Sequence, residues 1–185
     1  MKGTTPVLNL SYSHRRLVFM ALLIFLAAGG IANGQLKKED PSEKAKIRKR
    51  VDTIIREILR SGEITTAEGQ RIIIRVPPPQ RDIEEIRSYG DDAVPVLAEF
   101  LKSEDAREYE LAMRLLGALG GDRIIQPLRD VILLDPMPRK RGFALSAITQ
   151  APWGKAALIL RLAAKTDPDP HVRQIAKEML AGYAP

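Results

Sequence analysis

One apolar pattern returns three times at a spacing of 32 residues. It reads Leu111, Ala112, Leu115, Leu116, Leu119, then Phe143, Ala144, Ala147, Ile148, Ala151, then Ile175, Ala176, Met179, Leu180, Tyr183. These offsets put each set on one face of a helix. All fifteen positions are apolar in a chain that is 45% hydrophobic, which argues against a chance register. Recurrence at this length marks stacked helical hairpins, each too small to bury its own apolar face and so packed on its neighbour.

The helices that precede these sets align as well. Ala93, Val94, Leu97, Phe100 and Leu101 match Ile124, Ile125, Leu128, Val131 and Ile132 at a shift of 31, and then Ala156, Ala157, Leu160, Ala163 and Ala164 at 32. Asp135-Pro136 and Asp167-Pro168 recur between first and second helices. Proline there stops the first helix, and aspartate is expected to cap the second. Gly120-Gly121 is read as the end of one second helix, with Asp122 capping the next first helix.

Residues 1–34 read as a targeting segment rather than as part of the fold. Lys2, Arg15 and Arg16 supply a positive end without an acid, and twelve apolar residues run from Leu17 to Ala28. Twelve is short for a membrane-crossing helix, which takes about 20, and fits the core of a signal peptide. Ala32-Asn33-Gly34 offers small side chains for cleavage before Gln35. An uncleaved anchor extending through Ile31 and Ala32 is the alternative. With no cysteine, the chain carries neither a disulfide nor an acylated N-terminus. Removal of the segment takes three basic residues and no acid, so the formal charge drops from +6 to +3 and basicity alone points to no nucleic acid.

The rest divides into residues 35–89 and 90–185. Asp40-Pro41-Ser42-Glu43 is a helix start, and Ile47, Val51, Ile54, Ile55, Ile58 and Leu59 make one stripe on a helix ending near Arg60. Lys44, Lys46, Arg48, Lys49 and Arg50 form either a contact for anionic lipid or acidic protein, or a solvated face. Ile72-Ile73-Ile74-Arg75-Val76 reads as a short strand or a turn of buried helix, and no second strand is evident. Pro77-Pro78-Pro79 is a stiff connector before a short helix over Asp82 to Ser88 that closes at Gly90.

Gly90-Asp91-Asp92-Ala93-Val94-Pro95-Val96-Leu97 and Asp167-Pro168-Asp169-Pro170-His171-Val172-Arg173-Gln174-Ile175-Ala176 resemble the two halves of a HEAT repeat. They are also similar to the short HEAT-like units named after phycobiliprotein lyases. The resemblance covers about residues 90–183 and implies an all-α fold. That fold is a right-handed α-solenoid of stacked antiparallel hairpins in three units, at about 90–120, 121–153 and 154–185. A signal helix and one longer amphipathic helix precede it. Met137-Pro138-Arg139-Lys140-Arg141 and Ala151-Pro152-Trp153 depart from the pattern in the middle unit. HEAT stacks line their inner, concave side with second helices. Such repeats serve scaffolds, adaptors, inhibitors and a few enzymes, so fold does not assign function.

Arg107, Arg139 and His171 recur at 32 residues near the starts of second helices. They read either as a cationic row for an acidic partner or as partners of acids in the next unit. Tyr89 and Trp153 flank the first two units, as anchors for a bound peptide or as plugs between hairpins. Without cysteine, and with His171 the one histidine beyond the targeting segment, no metal or cofactor is expected. No nucleophile elbow or phosphate loop is present, and no catalytic residue is assigned. The expectation is an exported, periplasmic or secreted, non-catalytic scaffold or adaptor that binds another protein. Alternatives are a HEAT-like enzyme of the chromophore-lyase or DNA-glycosylase kind, and a homo-oligomeric envelope subunit that self-associates through an apolar end containing Met179, Leu180 and Tyr183.

Overall fold

The computed structural model describes residues 41–182, which are mostly helical. The targeting segment, its cleavage position and Tyr183 lie outside the described residues. Helix α1 spans Pro41–Ser61, opened by proline and Glu43 and carrying Arg60 in its last turn. Its stripe is the buried one: Val51, Ile54, Ile55 and Ile58 are closed to solvent, and Ile47 and Leu59 pack on their flanks. The Ser61 hydroxyl donates to the Ile58 carbonyl at 2.7 Å, and the helix stops.

Strands β1 (Glu63–Thr65) and β2 (Arg71–Ile73) follow as an antiparallel hairpin, with Glu63 opposite Ile73 and Thr65 opposite Arg71. Residues 72 and 73 are thus in a strand, and the reading of this run as buried helix is wrong. A second strand, not evident in the sequence, is present. That strand, Glu-Ile-Thr, is too short and too polar to signal itself. Ile64, Ile72, Ile73 and Ile74 remain 46–50% exposed. Gly62 makes the close approach: it accepts a hydrogen bond from Ile74 N–H at 2.8 Å, and a Cβ at Gly62 would stand 2.4 Å from the Ile74 carbonyl oxygen.

After the three prolines, α2 (Gln80–Tyr89) buries Ile86 and closes at Gly90, whose φ of 57° suits glycine. The remaining helices come in pairs. They are α3 (Ala93–Phe100) with α4 (Ala106–Leu119), α5 (Ile125–Leu134) with α6 (Pro138–Ile148), and α7 (Trp153–Thr166) with α8 (Pro170–Gly182). The members of each pair pack together; α4 also packs on α6, α6 on α8, and α5 on α7. Helix α1 packs on α3 and α4, and α2 on α4, so the N-terminal helices shield the first pair. One apolar cluster runs from Val51 through Leu97, Leu116, Leu128 and Ile148 to Ala176. No helix among the described residues is long and apolar enough to cross a membrane.

The links inside the pairs repeat at 32 residues. Ser103 Oγ accepts from Asp105 N–H at 3.1 Å, Asp135 Oδ1 from Met137 N–H at 2.8 Å, and Asp167 Oδ1 from Asp169 N–H at 2.9 Å. The aspartates expected to cap the second helices instead close turns ahead of them. The caps are two residues later: Asp105 Oδ1 accepts from Arg107 N–H, and Asp169 Oδ1 from His171 and Val172 N–H. The middle pair has Met137 at that position and no side-chain cap. Arg141 Nη1 donates to the Asp135 and Pro136 carbonyls, and Arg173 Nη1 repeats the contact at Asp167 and Pro168. Asp122 opens a 3₁₀ turn but caps nothing; its carboxylate takes Lys155 Nζ at 2.7 Å.

Candidate binding face on helices α4, α6 and α8

Arg107, Arg139 and His171 stand in the first turns of α4, α6 and α8, but they do not form a row of equivalent free cations. Arg107 is clamped. Its Nε and Nη2 donate to Asp105, and Nη1 donates to Glu63 Oε1 at 3.0 Å, tying the helix to β1. Arg139 Nη2 donates to Glu110 Oε1 at 2.9 Å, on the preceding second helix, while its guanidinium carbon lies 5.8 Å from the Phe143 ring centroid. His171 is exposed and lines a cleft with Arg139 and Phe143. The acids that pair with the two arginines sit in the same turn, in the hairpin and on the preceding helix, not in the next unit.

Glu110 organises the centre of this face. It is 4% exposed and accepts from both Arg139 and Arg75, the latter at 3.2 Å. A carboxylate removed from water costs several kcal/mol unless charge and hydrogen bonds compensate it, and two guanidiniums supply both. Arg114 lies one turn further along α4, exposed, with no ion pair or hydrogen bond to any described residue. Its place is readable from helical spacing, four residues after Glu110 and seven after Arg107. Arg75 is not, because three-residue strands carry too little pattern to reveal the hairpin that delivers it.

Two clefts flank Phe143. One, of about 560 Å³, runs between α4 and α6 past Met113, Arg114, Gly117, Ala147 and Gln150. The other, of about 530 Å³, runs between α6 and α8 past Pro138, Arg139, Gly142, His171 and Ile175. Their floors are apolar; Arg87 and Arg114 stand with Glu110 at the edge of the first, and Arg139 and His171 with Asp169 at the edge of the second, an arrangement suited to an extended chain carrying apolar and polar side chains.

Tyr89 and Trp153 are not on this face. The Tyr89 hydroxyl donates to Glu85 Oε1 at 2.9 Å, and Glu85 also takes Arg50 Nε at 2.6 Å, so Tyr89 closes the α1–α2 joint. The hydrogen bond from Arg50, then that from Tyr89, holds the Glu85 carboxyl down at about 2. Trp153 begins α7, half-buried against the core cluster. The basic run on α1 is partly consumed in the same way: Arg48 pairs with Glu99 of α3, and Arg50 with Glu85 of α2.

Among the described residues no group of three or more His, Cys, Asp or Glu side chains is placed to hold a metal ion. No protein-family model, curated protein or solved structure matches the chain.

Proposed function

We propose that this chain is an exported, non-catalytic, HEAT-like repeat protein that holds an acidic segment of another protein on the face of α4, α6 and α8. The fold in this reading is a right-handed α-solenoid of antiparallel hairpins, with the second helices on its concave side. The 32-residue recurrence of apolar sets, turn bonds and Arg–carbonyl contacts supports it, as does the packing of α4 on α6 and α6 on α8. The observation that carries the binding role is the pair of apolar clefts flanking Phe143, with Arg114, unpaired among the described residues, at the edge of one and Arg139, its side chain 55% exposed, at the edge of the other.

An acidic peptide with one aromatic residue, titrated by fluorescence anisotropy, tests this. Binding weakens as salt rises, because exposed charges are screened. Arg114→Glu abolishes it while leaving the thermal transition in place. Unchanged affinity in that variant, or binding of duplex DNA in place of the peptide, contradicts the reading. N-terminal sequencing of protein recovered outside the cytoplasm tests export, with Gln35 as the expected first residue.

Leu134 and Leu158, 77% and 63% exposed on α5 and α7, favour a second reading, self-association through those helices. The apolar end anticipated around Met179 and Leu180 is not what favours it. Both residues pack against the core, and Gln174, Lys177 and Glu178 of α8 face solvent. Light scattering over a concentration series decides: a constant monomer mass removes this reading.

A further inference from the structure

Arg75, Arg107, Glu110 and Arg114 line a cavity of about 50 Å³ that Ile74 and Leu111 wall on its apolar side. A single water needs about 10–15 Å³ on this measure, so the space takes a few waters or one small tetrahedral anion. Arg107 brings no net charge, because together with Arg71 it balances Asp105 and Glu63. Arg75, in the cavity lining, and Arg139, outside it, donate to the same oxygen of Glu110, and Arg114 is unpaired among the described residues. Three guanidiniums against one carboxylate leave a local excess of two positive charges. Each guanidinium has five N–H groups, of which Arg75 uses one on Glu110 and Arg114 none. Glu110 therefore acts as a positioning residue: buried, it holds Arg75 at the cavity with most of that guanidinium's donors unused. Apolar walls strengthen the field at such a point by keeping water back.

We propose that this cavity is a binding site for a doubly charged tetrahedral oxyanion, a phosphate or phosphate monoester, gripped by Arg75 and Arg114, with Arg139 offsetting the Glu110 charge from outside the cavity. Guanidinium forks match the oxygens of such an anion in pairs, which an ammonium does not. The excess of two charges selects a dianion over a carboxylate. It shares Arg114 and Arg139 with the acidic-segment reading but needs no protein partner, so phosphate titration of the chain alone tests it apart from that reading.

The test is titration of the isotope-labelled full chain with inorganic phosphate at about pH 8, where the anion is doubly charged. Chloride holds ionic strength constant, and acetate is the comparison anion. The expected result is saturable NMR shifts confined to Arg75, Arg107, Glu110, Arg114 and Arg139 and their chain neighbours, with acetate weaker by roughly tenfold or more. Arg114→Ala weakens phosphate binding by roughly tenfold, the loss of one charge-assisted hydrogen bond. Its thermal transition stays where it is, because the side chain is exposed and unpaired. Arg161→Ala, on exposed α7 surface, changes nothing. Shifts that spread over surface arginines without saturating, equal affinity for acetate, or an Arg114→Ala chain that binds phosphate as the parent does would each overturn the proposal.

Discussion

Arg141 and Asp167 meet between consecutive helix pairs, with Nε to Oδ2 at 2.8 Å and Nη2 to Oδ1 at 2.7 Å, their side chains 5% and 2% exposed. The contact ties α6 to the turn before α8. Removing one member leaves the other buried and uncompensated, so Asp167→Ala is expected to lower stability by about 3–5 kcal/mol. Urea denaturation of parent and variant measures this; a loss under about 1 kcal/mol contradicts a buried pair.

The same carboxylate sets part of the acid response. Burial alone would raise the Asp167 carboxyl, but the Arg141 hydrogen bonds, the Asp169 N–H and the charges of Arg141 and Arg173 outweigh it and hold it below the ordinary range. Asp105 and Glu63 are lowered by their arginines as well, and Glu85 lies at about 2. A carboxyl depressed in the folded state contributes stability that is present above its unfolded pKa, near 4, and lost as pH falls through the folded value. The chain should therefore lose stability between about pH 4 and pH 2, and Asp167→Asn should flatten that slope. Denaturation midpoints at a series of pH values provide the check, and a parent curve level across that window would contradict it.

The hairpin depends on Gly62. A Cβ there meets the Ile74 carbonyl at 2.4 Å, a backbone atom that cannot rotate aside. Gly62→Ala should cost about 1–3 kcal/mol, in the range of forced overpacking, and should open the segment from Glu63 to Ile74 to proteolysis. Equal digestion rates in parent and variant would show that the hairpin gives way without cost.

Much of the architecture is legible in advance because helices announce themselves by period. Val51, Ile54, Ile55 and Ile58 are spaced as one face and are buried as one face. Leu111, Ala112, Leu115 and Leu116 behave likewise on α4. The hairpin is not legible, since three-residue strands carry too few alternations and the close approach at Gly62 is a tertiary fact. Asp135 and Asp167 bond to the N–H two positions on, a turn that competes with capping from the same side chain, so the cap of α8 falls to Asp169 and α6 has none. In the binding face, spacing finds Arg107, Arg139 and His171 but cannot find their carboxylates. Glu110 meets Arg75 across 35 residues and Arg139 across 29.

Exposure separates leucines that hold the fold from those that do not. Leu116, fully buried on α4, should cost about 2–5 kcal/mol when replaced by alanine. The pair Leu134→Ser and Leu158→Ser should stay within about 0.5 kcal/mol for each site. Chemical denaturation at low protein concentration compares them. A large loss in the double variant would mean that α5 and α7 are covered in solution.

The central claim, that the face of α4, α6 and α8 receives an acidic chain, is tested most directly by site-specific photo-crosslinking. A photo-reactive residue is placed at exposed Ser146, beside Phe143 in both clefts, and in a second sample at exposed Leu158 on α7. The account predicts that an acidic peptide crosslinks from position 146, that salt suppresses the product, and that position 158 stays silent. Crosslinking from 158 alone, or equally from both, would contradict it.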